Sequence, residues 1–471
     1  MIDRSQFRLG VCVSVVMFFV PVKAQEIQSQ KLDRVFQEAV ANYDAGKFPE
    51  AEAALENLLP YATKSFEVHE LLGLVYASES KDAKAVEQLQ AAVRLKPDSA
   101  TGRTNLAAAL SHSGKYELAG EQFVKALALA PQDYDANHNL GEFYIQSGKL
   151  PEARPLLEKA QRLHPDSYDN GYDLAQLYLL TGKFEEARHL AQDLLKQKNT
   201  GEVHNLLGHV EEKDGNFLVA ANEYEMSAHL DPSESNLFDW GSEYLLHRTY
   251  DPAIDIFQQA TLRYPHSPRL YVGLGMALYS RDKYEEAVKA LLIAADLDPA
   301  DPRCYLFLSK AYSSSPKQAD DVIQRFRRYA EIEPNNALAQ YYYAMGLWKG
   351  KRLEDTDVDY QAVESLLQKT IALDDKLPEA YLQLGIFYAD RHEYKKALPE
   401  YERALQLNPN FADVHYRLGQ YYVRAGEKAK SQAEFDLYQK LQAQHMAEVD
   451  KERAEVRQFV YSAKAAPAAQ P

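Results

Sequence analysis

The sequence predicts an all-α solenoid of about 12 stacked antiparallel helix pairs. Three features recur at a common phase of roughly 34 residues: a proline that closes each unit, two small residues, and a turn glycine between them. The closing prolines are Pro97, Pro131, Pro165, Pro232, Pro265, Pro299, Pro334 and Pro409. A solenoid grows by adding units, so a chain of 471 residues needs no single large core.

The first 24 residues have the pattern of a secretory signal. Arg4 and Arg8 provide a positive start, residues 9–20 form an apolar run, and Ala24 ends a small-residue cleavage site. A run this short is below the roughly 20 residues of a membrane span, so we expect cleavage rather than an uncleaved anchor. The mature chain would begin at Gln25 with a short segment, 25–31, and would be periplasmic or extracellular without stable membrane insertion.

The net charge limits the partners that the chain can bind, and the cysteine content limits the disulfides that it can form. The formal net charge is −16, which disfavours binding to nucleic acid phosphates and to anionic membranes. Beyond the signal the chain keeps one cysteine, Cys304, so no internal disulfide can form. Cys304 lies in an apolar helical pattern, which predicts a buried, inert thiol.

The small residues predict where the two helices of each pair cross. Large side chains would hold the helix axes apart, whereas Gly and Ala allow close packing. The first slot holds Gly73, Ala107, Gly141, Ala175, Gly208, Gly241, Gly275, Ser309, Ala344, Gly385 and Gly419. The second slot, twelve residues later, holds Ala85, Ala119, Ala153, Ala187, Ala220, Ala253, Ala287 and Ala397. The turn glycines between the slots are Gly46, Gly114, Gly148, Gly182, Gly215 and Gly426.

This pattern resembles the tetratricopeptide repeat (TPR) family over residues 32–445. The resemblance implies a right-handed superhelix in which the first helix of each pair lines a concave, ligand-binding surface. Two units depart from the pattern: 302–336 has Val322 in its second small slot, and the next unit carries an insertion near 349–360. Residues 446–464 are polar and are expected to extend or cap the last helix, and 465–471 are expected to be disordered.

The positions that the resemblance places on the concave surface differ in character along the chain. Those between 105 and 212 are polar and acidic, and those between 238 and 348 are apolar and aromatic. The predicted acidic partner-binding residues are Asn105, Asp135, His138, Asn139, Glu142, Asp169, Asp173, Asn205 and Glu212. The predicted aromatic ones are Phe238, Met276, Phe307, Tyr341, Tyr342, Met345 and Trp348. The alternative is that the aromatic residues pack internally and the acidic ones are only solvated.

These surfaces indicate a non-catalytic protein-interaction scaffold in the cell envelope, whose partner is a basic, partly hydrophobic protein or peptide. A carbohydrate-binding role, or an accessory role in polysaccharide export or secretion, is the alternative. An enzyme is disfavoured because the repeats leave no segment for a catalytic core. No cofactor or metal is expected: His204 and His209 do not share a helical face, and the acidic insertion 355–359 lacks the glycine of a calcium loop.

Overall fold

The computed structural model describes the backbone of residues 22–314, 318–349 and 358–465, and the side chains of 30–313, 318–349 and 358–447. Most of the predicted signal, most of the acidic insertion 355–359, and residues 466–471 of the predicted tail lie outside this part. Every element of secondary structure in the described part is helical, so the predicted all-α class is confirmed. The helices form twelve consecutive pairs within two compact units.

Among its described residues, 22–199, the N-terminal unit comprises ten α-helices and a short 3₁₀ turn at Leu59–Tyr61. The helices are α1 (Val22–Asp44), α2 (Phe48–Leu58), α3 (Phe66–Ser78), α4 (Asp82–Leu95), α5 (Ala100–His112), α6 (Tyr116–Leu129), α7 (Tyr134–Gln146), α8 (Leu150–Leu163), α9 (Tyr168–Leu180) and α10 (Phe184–Gln197). Odd-numbered helices are the first of each pair and even-numbered helices the second.

The C-terminal unit comprises fourteen α-helices in the described part. They are α11 (Gly201–Asp214), α12 (Phe217–Leu230), α13 (Glu234–Leu246), α14 (Tyr250–Arg263), α15 (Pro268–Ser280), α16 (Tyr284–Leu297), α17 (Pro302–Ser314), α18 (Ala319–Ile332), α19 (Ala337–Lys349), α20 (Tyr360–Leu373), α21 (Pro378–Asp390), α22 (Tyr394–Leu407), α23 (Ala412–Arg424) and α24 (Lys428–Ala465). The predicted extension 446–464 is therefore the continuation of α24.

The two helices of a pair cross where the sequence places its small residues. A Cβ on Gly275 would lie 2.4 Å from Leu291 Cγ, and one on Gly73 would lie 2.5 Å from Leu89 Cγ. In both cases the large residue stands sixteen positions after the glycine, in the second helix. Val322, which departs from the small-residue pattern, is nevertheless fully buried in α18.

Tyrosine hydroxyls join several pairs to the preceding one. Tyr76 in α3 donates a hydrogen bond to Glu56 in α2 (2.7 Å between oxygens). Tyr388 in α21 makes the same kind of bond to Glu364 in α20 (2.9 Å). Each ring lies three residues after the first small residue of its pair, Gly73 or Gly385, and both rings are almost fully buried. These residues therefore serve the stacking of one pair on the next.

Serine side chains after the closing prolines start the first helices. The Oγ of Ser99 accepts a hydrogen bond from the Gly102 amide, and the Oγ of Ser167 accepts one from the Asn170 amide. Each serine follows its proline by two residues, so the proline ends one helix and the serine caps the next. The sequence reasoning used the prolines and missed these caps.

The six turn glycines all have a left-handed backbone, with φ between +70° and +83°. The corresponding position of four other pairs has the same backbone conformation without glycine: Ser80 (φ +60°), Arg248 (+56°), Asp282 (+62°) and His392 (+64°). The left-handed conformation is thus a property of the turn, and in these pairs a side chain is held in an unfavourable region.

We expect Ser80→Gly to stabilise the N-terminal unit by roughly 0.5–1 kcal/mol, because glycine removes the steric cost of positive φ. Urea unfolding of the full chain, followed by circular dichroism, would measure this. Ser147→Gly is the matched control: it makes the same substitution next to a turn glycine at φ −86°, and it should destabilise slightly. Equal destabilisation by both variants would contradict the expectation.

Candidate functional site

Successive first helices pack directly on one another along part of each unit and form a layer there. In the N-terminal unit α3 contacts α5, α5 contacts α7, and α7 contacts α9. In the C-terminal unit the same holds along α13, α15, α17 and α19. The predicted binding residues lie on these first helices, except for Asn205 and Glu212, which lie on α11.

Asn105 is buried and its amide is engaged by a carboxyl group of the neighbouring first helix. Its Nδ2 donates to Glu70 Oε1 at 3.1 Å. Burial of Glu70 raises the pKa of its carboxyl from 4.5 to about 7, although the Asn105 hydrogen bond acts in the opposite direction. The sequence reasoning identified Asn105 but missed Glu70, which lies thirty-five residues earlier.

Asn139 is also buried, at 9% exposure, and its Nδ2 donates to the Asp135 carbonyl at 2.7 Å. This is one turn back along its own helix. The amide nitrogen therefore already has a partner within the protein, whereas Asp135 itself is exposed. Of these two, Asp135 is the more accessible to a binding partner.

His138, Glu142 and Asp173 come together between α7 and α9. One ligand atom from each of the three lies within 4.8 Å of the others. His138 Nδ1 lies 3.7 Å from Asp173 Oδ2 and 3.3 Å from Asn170 Oδ1. His138 is buried and the two carboxylates are half-buried. The sequence reasoning placed these three residues on one surface, but it did not predict that they converge and it missed Asn170.

Tyr134 shows that this region is electrostatically negative. Its ring stacks on His138 (5.4 Å between centroids), and its hydroxyl hydrogen-bonds Ser167 Oγ at 2.6 Å. Burial raises the pKa of Tyr134 to about 12, and the charges of Asp169, Asp135 and Asp173 contribute to the same effect. The exposed Asp169 thus acts together with the half-buried Asp173.

Asn205 and Glu212 belong to the C-terminal unit, where both side chains form hydrogen bonds with other residues of the chain. Asn205 Nδ2 donates to Asp239 Oδ2 at 2.9 Å. Tyr224 donates to Glu212 Oε2 at 3.0 Å, and Lys213 Nζ lies 3.0 Å from Oε1 of the same carboxylate. Burial alone would raise the pKa of Glu212, but the hydrogen bonds from Lys213 and Tyr224 lower it.

Six of the seven residues predicted for the aromatic binding surface are partly exposed on first helices of the C-terminal unit: Phe238, Met276, Phe307, Tyr341, Met345 and Trp348. Tyr342 differs, because it is only 5% exposed and packs against Phe326 at 5.8 Å between ring centroids. Its expected place on the binding surface is therefore wrong: one position along a helix turns a side chain by about 100°, which directs Tyr342 into the core.

Several of the exposed rings carry a cation from their own chain. Arg269 lies over Phe238 (5.0 Å to the centroid), and Lys310 lies over Phe307 (5.4 Å). Lys349 lies over Trp348 (5.1 Å) and donates to Gln383 Oε1 at 2.6 Å. The surface is therefore apolar at its rings and basic at its edge, which suits aliphatic side chains more than a strongly cationic segment.

A polar cleft that the sequence reasoning missed lies between the ends of α21 and α22 and the face of α23. Arg417 and Arg424 stand two turns apart on α23, and the Arg424 guanidinium lies over the Tyr394 ring, 5.0 Å from its centroid. The cleft is lined by Ala389, Asp390, His392, Tyr394, Tyr401, Arg417, Gln420, Tyr421 and Arg424. Burial raises the pKa of Tyr401 to about 12, while the Arg417 charge acts in the opposite direction.

Cys304 is fully buried, as the sequence predicted, and its Sγ lies 3.1 Å from the Asp301 carbonyl oxygen. Burial raises the pKa of the thiol to about 12, with the Asp301 charge contributing. A thiol of this kind is not a nucleophile at neutral pH. Among the described residues, no helix is both long and apolar enough to cross a membrane.

Comparison with known proteins agrees with the helix-pair architecture. Family models described as tetratricopeptide repeat match residues 36–100, 112–167, 146–210 and 238–302, and a model described as TPR repeat matches 388–426. Together they match more than half of the chain. The chain belongs to the tetratricopeptide repeat family. These matches confirm the resemblance inferred from the sequence. Repeats of this family generally form non-catalytic scaffolds for protein interaction.

Individual relatives of this TPR chain are distant. The mouse protein O-mannosyl-transferase TMTC3 is 24% identical over 205 residues, covering 40% of this chain and 20% of its own. This chain therefore spans about a fifth of that relative. PilW, a type IV pilus biogenesis factor, has 22% identity and a TM-score of 0.41 over 43% of this chain and 94% of its own. The Cut9–Hcn1 assembly gives 13% identity and a TM-score of 0.39 over 92% and 98%.

The Glu70 carboxyl should make the stability of the N-terminal unit pH-dependent. Its pKa is about 7 in the folded chain and 4.5 as the ordinary value. Between these pH values the folded state binds more protons than the unfolded state, so stability falls as the pH rises through this window. We expect Glu70→Gln to be more stable than wild type at pH 8 by on the order of 2 kcal/mol, after allowance for solvent screening.

Urea unfolding of both chains at pH 4.5, 6 and 8 measures this difference, which should widen with pH. Glu87→Gln is the matched control, because Glu87 is an exposed residue of α4. A constant difference between Glu70→Gln and wild type across the three pH values would contradict the prediction.

Proposed function

We propose that this chain is a non-catalytic scaffold that binds a protein segment on the first-helix layers of its two units. The proposal rests on a difference between two groups of residues on the first helices, those that pack in the core and those that face solvent. Packing residues such as Gly141 and Ala175 are buried, whereas Asp135 and Asp169 are exposed and Phe307 is partly exposed. Side chains that contribute little to packing can differ from unit to unit, and such differences can determine specificity.

The N-terminal layer supports recognition of basic side chains. Asp135 and Asp169 are exposed on consecutive first helices, and both act electrostatically on Tyr134. Carboxylates in this arrangement attract Lys and Arg and hold them by charge-assisted hydrogen bonds. The proposed ligand for this layer is therefore a basic stretch of a partner protein.

The C-terminal layer supports recognition of apolar side chains. Phe307, Met345 and Trp348 expose part of their surface on α17 and α19. Partly exposed aromatic side chains on a helical layer suit an amphipathic helix or an extended apolar segment. We propose that an apolar segment of the partner binds here, apart from the basic one.

We further propose that the chain is exported, with residues 1–24 as a cleaved signal. The support is the charged start, the short apolar run and the small residues that end at Ala24. Export would place the scaffold in the cell envelope or outside the cell. The transferase activity named for the mannosyl-transferase relative is not part of the proposal, because the match covers 20% of that protein.

Selection of random 12-residue peptides displayed on phage against the full chain tests both layers. We expect enrichment of Lys and Arg in one group of peptides and of Leu and Phe in another. Asp135→Asn with Asp169→Asn should weaken the basic group about three- to tenfold, and Phe307→Ala with Trp348→Ala should weaken the apolar group similarly.

Two matched control variants distinguish the layers from the rest of the surface. Asp98→Asn with Asp166→Asn removes two exposed loop carboxylates, and Leu262→Ala removes a side chain that is 84% exposed on a second helix. Both controls should bind as wild type does. Peptides without basic or apolar enrichment, or equal binding by all variants, would overturn the proposal.

Export is tested by mass spectrometry of the N-terminus in fractionated native cells. We expect the chain to begin at Gln25 in the envelope or extracellular fraction, and Ala24→Phe to leave the signal attached, because signal peptidase requires a small residue there. Recovery of a cytoplasmic chain that begins at Met1 would refute export without affecting the binding proposal.

A further inference from the structure

Four side chains with metal-ligand chemistry converge between α7 and α9. His138 and Glu142 stand one helical turn apart on α7, so both project from the same helix face. Asp173 and Asn170 project from α9 of the next pair. Together they present an imidazole nitrogen, two carboxylates and an amide oxygen.

The distances fit one ion. The ligand atoms of His138, Glu142 and Asp173 lie within 4.8 Å of one another, and His138 Nδ1 is 3.7 Å from Asp173 Oδ2. Two donors on one tetrahedral Zn²⁺ ion, at bonds of about 2.1–2.2 Å, lie about 3.5 Å apart. Side-chain movements of up to about 1.3 Å would therefore bring all three ligand atoms into coordination.

Asn170 holds its oxygen toward the cluster. It is fully buried, and its Nδ2 donates to the Leu157 carbonyl at 3.1 Å and to Gln161 Oε1 at 2.7 Å. With both amide hydrogens committed, Oδ1 faces His138 Nδ1 at 3.3 Å. This oxygen can serve as a fourth ligand or accept a hydrogen bond from the imidazole, and either role requires the orientation observed.

The imidazole is held in place as well. His138 is 6% exposed and stacks on Tyr134, with 10° between the ring planes. Tyr134 is fixed in turn by its hydrogen bond to Ser167. A preorganised buried ring loses little conformational entropy on binding an ion, which distinguishes it from an exposed surface histidine.

We propose that His138, Glu142 and Asp173, with Asn170 beside them, bind a divalent transition-metal ion such as Zn²⁺ between the fourth and fifth helix pairs, which begin at α7 and α9. A mixed nitrogen and oxygen donor set favours Zn²⁺ over Ca²⁺ or Mg²⁺, which prefer oxygen ligands alone. The ion would join α7 to α9 and neutralise charge in an acidic region. This inference is independent of the proposed peptide binding, which rests on Asp135 and Asp169.

Calorimetric titration of the EDTA-treated, dialysed full chain with Zn²⁺ at pH 7.5 tests the site. We expect one saturable site in wild type, weakened at least about tenfold in Asp173→Asn and in His138→Gln. Asp173→Asn conserves size and should keep the helical circular dichroism signal. Asp169→Asn is the matched control, since it removes a nearby α9 carboxylate outside the cluster and should retain the site.

Metal selectivity and unfolding give two further readouts. Ca²⁺ and Mg²⁺ should bind at least about tenfold more weakly than Zn²⁺, and Zn²⁺ should raise the thermal unfolding midpoint of wild type but not of Asp173→Asn. Equal Zn²⁺ affinity in wild type and Asp173→Asn, or no saturable site below millimolar Zn²⁺, would overturn the proposal. In that case the contact between His138 and Asp173 within the protein accounts for the cluster.

Discussion

The close crossing of two helices within each pair is the constraint on which the rest of the structure depends. At Gly73, Gly141 and Gly275 even a single methyl group would overlap the leucine that stands sixteen residues later. Because that contact fixes the separation of the two helices, it also fixes the positions at which tyrosines such as Tyr76 reach the preceding pair. Stacking is therefore a consequence of the crossing, repeated along each unit.

This dependence explains why the fold could be predicted from the sequence. Small residues, turn glycines and closing prolines each report a local backbone requirement, and they recur often enough for the period to be recognised. The features of the fold that the sequence did not predict also have physical reasons. Ser80 adopts the same left-handed backbone conformation as the turn glycines although it is not a glycine. The capping roles of Ser99 and Ser167 depend on hydrogen bonds that residue spacing alone does not reveal.

The candidate sites were less predictable because they depend on side-chain direction and on pairs of residues far apart in sequence. Neighbouring Tyr341 and Tyr342 were assigned to the same surface, but the helical rotation between them buries Tyr342. Glu70 and Asn105 meet across thirty-five residues, and so do His138 and Asp173. The sequence identifies such residues one by one, whereas burial and convergence follow from the packing of adjacent pairs.

The cluster at α7 and α9 takes its members from two consecutive repeats, and this has a consequence for how such a chain can change. Duplication of one helix pair between α8 and α9 would preserve every packing contact type and yet separate His138 from Asp173 by another repeat. Loss of a pair could equally bring together side chains that are now apart. In a repeat array, sites belong to the junctions, so changes in repeat number create and destroy them without altering the fold.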